Sequence, residues 1–147
     1  MKFKIATTLA ASILATTAFA DGHLGSGDVE AGESEFRKCK SCHMIVADDG
    51  TEIVKGGRTG PNLYGIIGRQ AGSVEDFRYG DSLVAAGEAG LVWDEENFVA
   101  YVQDPKGFLA ETLDDKGARS KMSYRLRSGM EDVYSYLASV GPVPADS

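Results

Sequence analysis

Five consecutive residues, Cys39-Lys40-Ser41-Cys42-His43, constrain this chain more than any other stretch. Two thiols about one helical turn apart, followed directly by an imidazole, form the C-x-x-C-H pattern. The spacing suits one flat porphyrin: each thiol adds to one of its two vinyl groups, and the imidazole reaches the iron from the same side. Other uses of such a pair fit less well. A thioredoxin-like dithiol wants a surrounding βαβ pattern, and none is visible. A structural zinc site wants four nitrogen or sulfur ligands. The chain holds two Cys and two His, and its other histidine, His23, stands near the start. A Cys39–Cys42 disulfide stays chemically open in an oxidising compartment. One covalently attached haem c, with its iron, is the expected cofactor.

The first twenty residues read as a secretory leader. Lys2 and Lys4 give a charged start, a small and apolar run follows from Ile5, and Ala18-Phe19-Ala20 offers a small-x-small cleavage site. The run is too short and too rich in Thr and Ser to span a bilayer. Cleavage after Ala20 is expected, leaving a single domain over 21–147, and export agrees with the haem motif: bacterial haem of this type is attached outside the cytoplasm. A soluble periplasmic protein follows as the expectation, not embedded in a membrane. No apolar seam points to a dimer, so a monomer is expected.

The whole chain carries a formal charge of −7. Losing the leader removes two lysines and no acid, which leaves 13 basic against 22 acidic residues, or −9. Such a balance argues against nucleic-acid binding. The total hides an asymmetry. Lys116, Arg119, Lys121, Arg125 and Arg127 follow one another without an intervening acid, and Arg37, Lys38 and Lys40 flank the haem motif. Most charge runs are merely solvated faces, but these two lie beside the candidate iron ligands.

Along the chain, 21–27 reads as Gly-rich and mobile. Asp28 is a candidate N-cap for a helix over 29–40 with Val29, Gly32 and Phe36 on one face. Residues 44–60 read as loop, with turns at Asp48-Asp49-Gly50 and Gly56-Gly57. The frequent glycines up to Gly72 suit a wrap around a flat cofactor that backbone approaches closely. Short helices are expected over 79–89 and from Trp93 to Asp104-Pro105, the second with Phe98, Tyr101 and Val102 inward. Residues 106–121 read as loop. The last helix runs over 130–140 with Val133, Tyr136, Leu137 and Val140 on one face, stopped by Gly141-Pro142. No strand is expected. A chain this small and Gly-rich buries little apolar surface alone, so the haem-free protein is expected to be largely unfolded.

An electron carrier closes its iron on both sides, and a Met thioether raises the potential. Met44 follows His43 and cannot reach the other face. Met130, at the start of the last helix, reads as core or surface. Met122, in the loop Lys121-Met122-Ser123-Tyr124, is the favoured candidate; Met130 or an open position remain alternatives.

The chain resembles the class I cytochromes c, of the larger bacterial cytochrome c2 / c-550 type. The resemblance spans nearly all of the expected mature chain. It rests on Gly32-Glu33 and Phe36 ahead of Cys39–His43, Thr59-Gly60-Pro61-Asn62-Leu63-Tyr64-Gly65, Gly68-Arg69, Phe77-Arg78-Tyr79, Trp93, Tyr101, Asp104-Pro105-Lys106, Lys121–Tyr124 and Val133–Leu137. It implies an all-α fold, several helices and Gly-rich loops wrapped around one haem. By resemblance, Cys39 and Cys42 are the thioether cysteines, and His43 and Met122 the axial ligands. Pro61 supplies the carbonyl that holds the ligand imidazole. Arg69, Tyr79 and Trp93 bind the propionates, and Tyr101 stands beside the Met sulfur. Gly32 and Phe36 pack against Val133 and Tyr136. The sequence departs from the short mitochondrial-type members in its longer loop over 110–119, in Ser120 where Thr is usual, and in its acidic total.

The implied function is that of a one-electron shuttle, not an enzyme. The donor would be a cytochrome bc-type complex, and the acceptor a terminal oxidase, a photosynthetic reaction centre or a periplasmic reductase. Docking would be weak and electrostatically steered through a basic rim of Lys38, Lys40, Lys106, Lys121, Arg125 and Arg127.

Overall fold

Asp28 opens the first helix. Its carboxylate accepts a hydrogen bond from the Ala31 N–H at 2.7 Å, and α1 runs Val29–Phe36. The computed structural model describes residues 25–142. The leader over 1–20, its cleavage point, His23 and the last five residues lie outside the described residues. α1 ends before the expected residue 40 because tighter turns take over. Cys39 and Cys42 donate to carbonyls three residues back, Phe36 at 2.8 Å and Cys39 at 3.1 Å, the usual tightening at a helix C-terminus. Val29 is 41% exposed, so the buried face is narrower than its pattern implied.

Residues 25–28 are tied down rather than mobile. The Ser26 N–H and hydroxyl both donate to the Glu95 carboxylate. The Gly27 N–H reaches Ser135 Oγ at 3.0 Å, and the Asp28 N–H reaches Asp132 Oδ1 at 2.8 Å. The sequence gives no local sign of this, because all three acceptors lie far along the chain.

The stretch expected to be loop after His43 contains a small antiparallel hairpin, β1 Ile45–Val46 and β2 Glu52–Val54, with Ile45 opposite Val54 and Val46 opposite Glu52. Strands of two and three residues carry no readable alternation. Their connection is the anticipated turn: the Gly50 N–H donates to Ala47 O at 2.9 Å.

Two helices follow, α2 Asp81–Glu88 and α3 Glu95–Gln103, the latter capped by Asp94, which accepts from the Asn97 N–H at 2.8 Å. A further helix, α4 Pro105–Thr112, replaces the expected loop. The Asp104-Pro105 pair that closes α3 also opens α4. Asp104 accepts from the Gly107 N–H at 3.2 Å, and proline is pre-set for the first helical position. α5 runs Met130–Val140, as its periodicity predicted.

The crossing of α1 and α5 anchors the core. Gly32 lies against the Asp132 carbonyl, and a Cβ there would also stand 2.8 Å from Tyr136 Cβ. Only a missing side chain lets the two backbones approach this closely. Phe36 then meets Tyr136 with ring centroids 5.6 Å apart, and Val133 and Leu137 are buried beside them. The fold is all-α apart from the small hairpin. No helix among the described residues is long and apolar enough to cross a membrane.

Candidate functional site

The loop over 56–61 is laid flat against the Cys39–His43 turn. The Gly57 N–H donates to Lys40 O at 2.9 Å, and the Gly60 N–H donates to Cys42 O at 2.8 Å. This brings the Gly60 Cα under the His43 imidazole: a Cβ would stand 2.6 Å from Nδ1 and 2.8 Å from Nε2. The next residue holds the ring. His43 Nδ1 lies 2.9 Å from Pro61 O. A carbonyl only accepts, so the proton sits on Nδ1 and the Nε2 lone pair is free for a metal. Burial pushes the imidazole pKa below its ordinary value, and the Pro61 bond opposes this. Burial thus favours the neutral ring, the form that can ligate a metal.

The two thiols differ. Burial, then the nearby Glu35 charge, pushes the Cys39 thiol up to about 11. Cys42 is exposed, and hydrogen bonds from Thr59 and then Ser41 hold its thiol below the ordinary value. Both thiols are free.

Cys39, Cys42, His43 and Pro61 line one side of a cavity of about 310 Å³, which Tyr79, Trp93, Tyr101 and Met122 also line. Its walls are mostly apolar, with Leu63, Ile66, Phe77, Leu83, Phe98 and Val102 contributing. Trp93 and Tyr101 pack with their rings tilted and centroids 4.9 Å apart, and each is buried. Arg69 is not among the lining residues. Burial pushes the Tyr79 phenol above its ordinary pKa, and a hydrogen bond with the Val74 backbone, then the nearby Arg69 charge, oppose this.

Met122 is carried by the stretch 119–126, which has no regular structure and is held at many points. The Arg119 N–H donates to Ser82 Oγ at 3.0 Å, and Lys121 Nζ donates to Arg78 O at 2.9 Å. Ser120 Oγ accepts from the Met122 N–H at 3.1 Å and lies 3.3 Å from the Tyr101 hydroxyl. Leu126, 3% exposed, closes the stretch through its N–H to Val102 O at 2.8 Å.

The particular roles of four contributors are not readable from the sequence. Thr59 touches the Cys42 thiol, Gly60 packs under the imidazole, and Phe77 and Leu83 wall the cavity. Thr59 and Gly60 sit in a stretch whose importance the sequence does show, but their roles depend on how that stretch folds back on the motif.

The donor set fits a haem c. Two thiols, a neutral imidazole with its Nε2 free and a thioether open onto one mainly apolar cavity. The lining cations Lys38, Arg119 and Lys121 suit the acidic edge of such a group.

No family model matches the chain. Among curated proteins, cytochrome c-551 of Roseobacter denitrificans is 66% identical over 134 residues, covering 91% of this chain and 96% of the relative. Cytochrome c2 of Rhodobacter capsulatus is 56% identical over 135 residues, covering 92% and 94%. Among solved structures, ferric cytochrome c-550 of Paracoccus versutus superposes with a TM-score of 0.77 at 49% identity, covering 80% of this chain and all of that one. The cofactor is one covalent haem c.

Proposed function

We propose that this chain, which belongs to the class I cytochromes c of the bacterial c2 / c-550 type, is a soluble periplasmic one-electron carrier with His43 and Met122 as axial ligands. The observation that carries this reading is the convergence of Cys39, Cys42, His43 and Met122 on one cavity, with the imidazole proton fixed on Nδ1 by Pro61. Haem c bound there supplies one-electron redox chemistry. The chain's own residues set the conditions. Cys39 and Cys42 fix the group covalently. Pro61 and Gly60 orient the imidazole, and this outer contact raises its basicity as a ligand. Met122 would supply a thioether ligand to the iron, which favours the reduced state. Trp93, Tyr101 and the apolar walls exclude water. No acid–base pair for catalysis is needed, and the protein acts as a carrier rather than an enzyme.

Electrons would come from a cytochrome bc-type complex and pass to a terminal oxidase, a photosynthetic reaction centre or a periplasmic reductase. The rim residues Lys38 and Lys121 border the cavity, and Lys40 and Arg127 are exposed nearby in sequence. Lys38 is ion-paired with Glu35 and Arg125 with Asp104, so the freer docking charges are Lys40, Lys106 and Arg127.

The test is the visible absorption of the exported protein, oxidised and reduced, with and without carbon monoxide. A pyridine haemochrome of the c type, a weak far-red band lost in Met122→Ala, and a reduced spectrum indifferent to carbon monoxide are the expected results. Ready carbon monoxide binding by the unmodified protein would overturn the carrier reading in favour of a ligand-binding or enzymatic one.

A further inference from the structure

Arg125 is one of the cations that sequence alone assigns to a docking rim. The structure gives its guanidinium another partner: its terminal nitrogen lies 2.8 Å from Asp104 Oδ1. Asp104 is no ordinary surface acid. Its backbone N–H closes α3 by donating to Ala100 O at 3.3 Å, and its carbonyl accepts from the Phe108 N–H at 2.9 Å. The same Oδ1 that meets Arg125 caps α4 through the Gly107 N–H. The carboxylate is therefore held in place before Arg125 arrives, and little side-chain freedom is lost on that side of the pair.

We infer that the Asp104–Arg125 ion pair is a latch that holds the Met122 loop across the cavity, and that Arg125 is a positioning residue rather than a docking charge. The inference rests on the reading of Met122 as an axial ligand. Three observations carry it. Arg125 stands three residues after Met122, on the side of the loop that reaches the α3–α4 corner. Next to it, the Leu126 N–H donates to Val102 O in the last turn of α3, so the ion pair and the backbone bond fasten the loop to one place. Between these anchors and Met122 lie Ser123 and Tyr124, both exposed, for which no hydrogen bond among the described residues holds the loop down. Without the latch, the loop would be free from Ser123 to its hinge at Leu126.

The pair is half exposed at each side chain, so its effect is modest: an exposed pair shifts an equilibrium about two- to five-fold. The experiment uses the haem-loaded protein and five variants. Arg125→Gln removes the cation. Asp104→Asn removes the anion but keeps a side chain that caps helices as well as Asp does, so α4 is preserved. The double variant closes the cycle, and Arg127→Gln is a neighbouring rim cation with no ion-pair partner among the described residues. One readout is the rate at which imidazole displaces Met122 from the oxidised iron. The other is amide exchange at the Met122 N–H.

Both single variants should speed imidazole entry and Met122 amide exchange about two- to five-fold. The double should add nothing to either single, Arg125→Lys should restore part of the effect, and Arg127→Gln should leave both readouts unchanged. Additive singles, or exchange at Met122 unchanged in Arg125→Gln, would overturn the latch. Absence of the far-red band in the unmodified protein would instead overturn Met122 as ligand, and the amide exchange would still decide the latch.

Discussion

Replacing Gly60 by Ala tests the site's central geometry with one methyl group. The added carbon would stand 2.6 Å from His43 Nδ1 and 2.8 Å from Nε2, well inside van der Waals contact. The backbone is not the difficulty: the φ of Gly60 lies outside the left-handed region, so alanine is penalised by space alone. Neither neighbour yields easily. Moving the imidazole breaks the 2.9 Å bond from Nδ1 to Pro61 O, and moving the loop breaks the 2.8 Å bond from the Gly60 N–H to Cys42 O. Overpacking of this kind costs about 1–3 kcal/mol, and one lost hydrogen bond adds about 1 kcal/mol. The sum is about 2–4 kcal/mol. At about 3–6 °C per kcal/mol for a domain of this size, thermal unfolding of the haem-loaded protein should fall by at least about 6 °C. The Soret and far-red bands should shift as the imidazole tilts. If Gly60→Ala melts with the unmodified protein and leaves the spectrum unchanged, the packing of the 56–61 loop against the imidazole is wrong.

Two further outcomes are expected. The Cys39→Ala/Cys42→Ala double variant, exported without haem, should lose most of its far-UV helical signal and show no cooperative melt; a native-like melt would show that the helices hold without the cofactor. Reduction of the protein by a purified bc-type complex should slow as salt rises, and Lys40→Glu should flatten that dependence while leaving the spectrum unchanged; equal slopes would remove Lys40 from the docking face.

What could be read from the sequence was set by covalent or local chemistry. Cys39, Cys42 and His43 are legible because thioether formation and iron ligation leave little choice of spacing. α5 is legible because eleven residues give three turns of periodicity, and its boundaries are those expected. α4 was hidden because its cap, Asp104-Pro105, reads equally as the end of α3, and Gly107 dilutes the apolar pattern of Phe108 and Leu109. The hairpin at 45–54 is too short for a period. The roles of Gly60 and Thr59, and the tether from Ser26 to Glu95, belong to a different class. They are contacts between segments far apart in the chain, and no local preference encodes them. Arg125 shows the same limit from the other side: a charge that looks free in sequence is engaged in the fold.

The cavity explains why cofactor and fold are one problem in this chain. Trp93, Phe98, Tyr101 and Val102 are each less than a tenth exposed, yet all four line the cavity, so much of the core has the haem site as its other face. Without the haem, the apolar residues that line this 310 Å³ cavity would be left facing water. The part of the core that faces away from the cavity is the α1–α5 crossing at Gly32 and Phe36, joined to α3, with Ile45, Leu109 and Leu126 buried elsewhere, a modest apolar total for helices this short. The folded structure also half-buries Cys39, and burial, then the Glu35 charge, pushes its thiol up to about 11, which lowers the thiolate fraction that would react. A chain that folded first would therefore present one of its two attachment points in a poor state for addition. A chain that is unfolded until loaded presents both cysteines freely, and closing the core around the attached haem then fixes the imidazole and the Met122 loop in the same step.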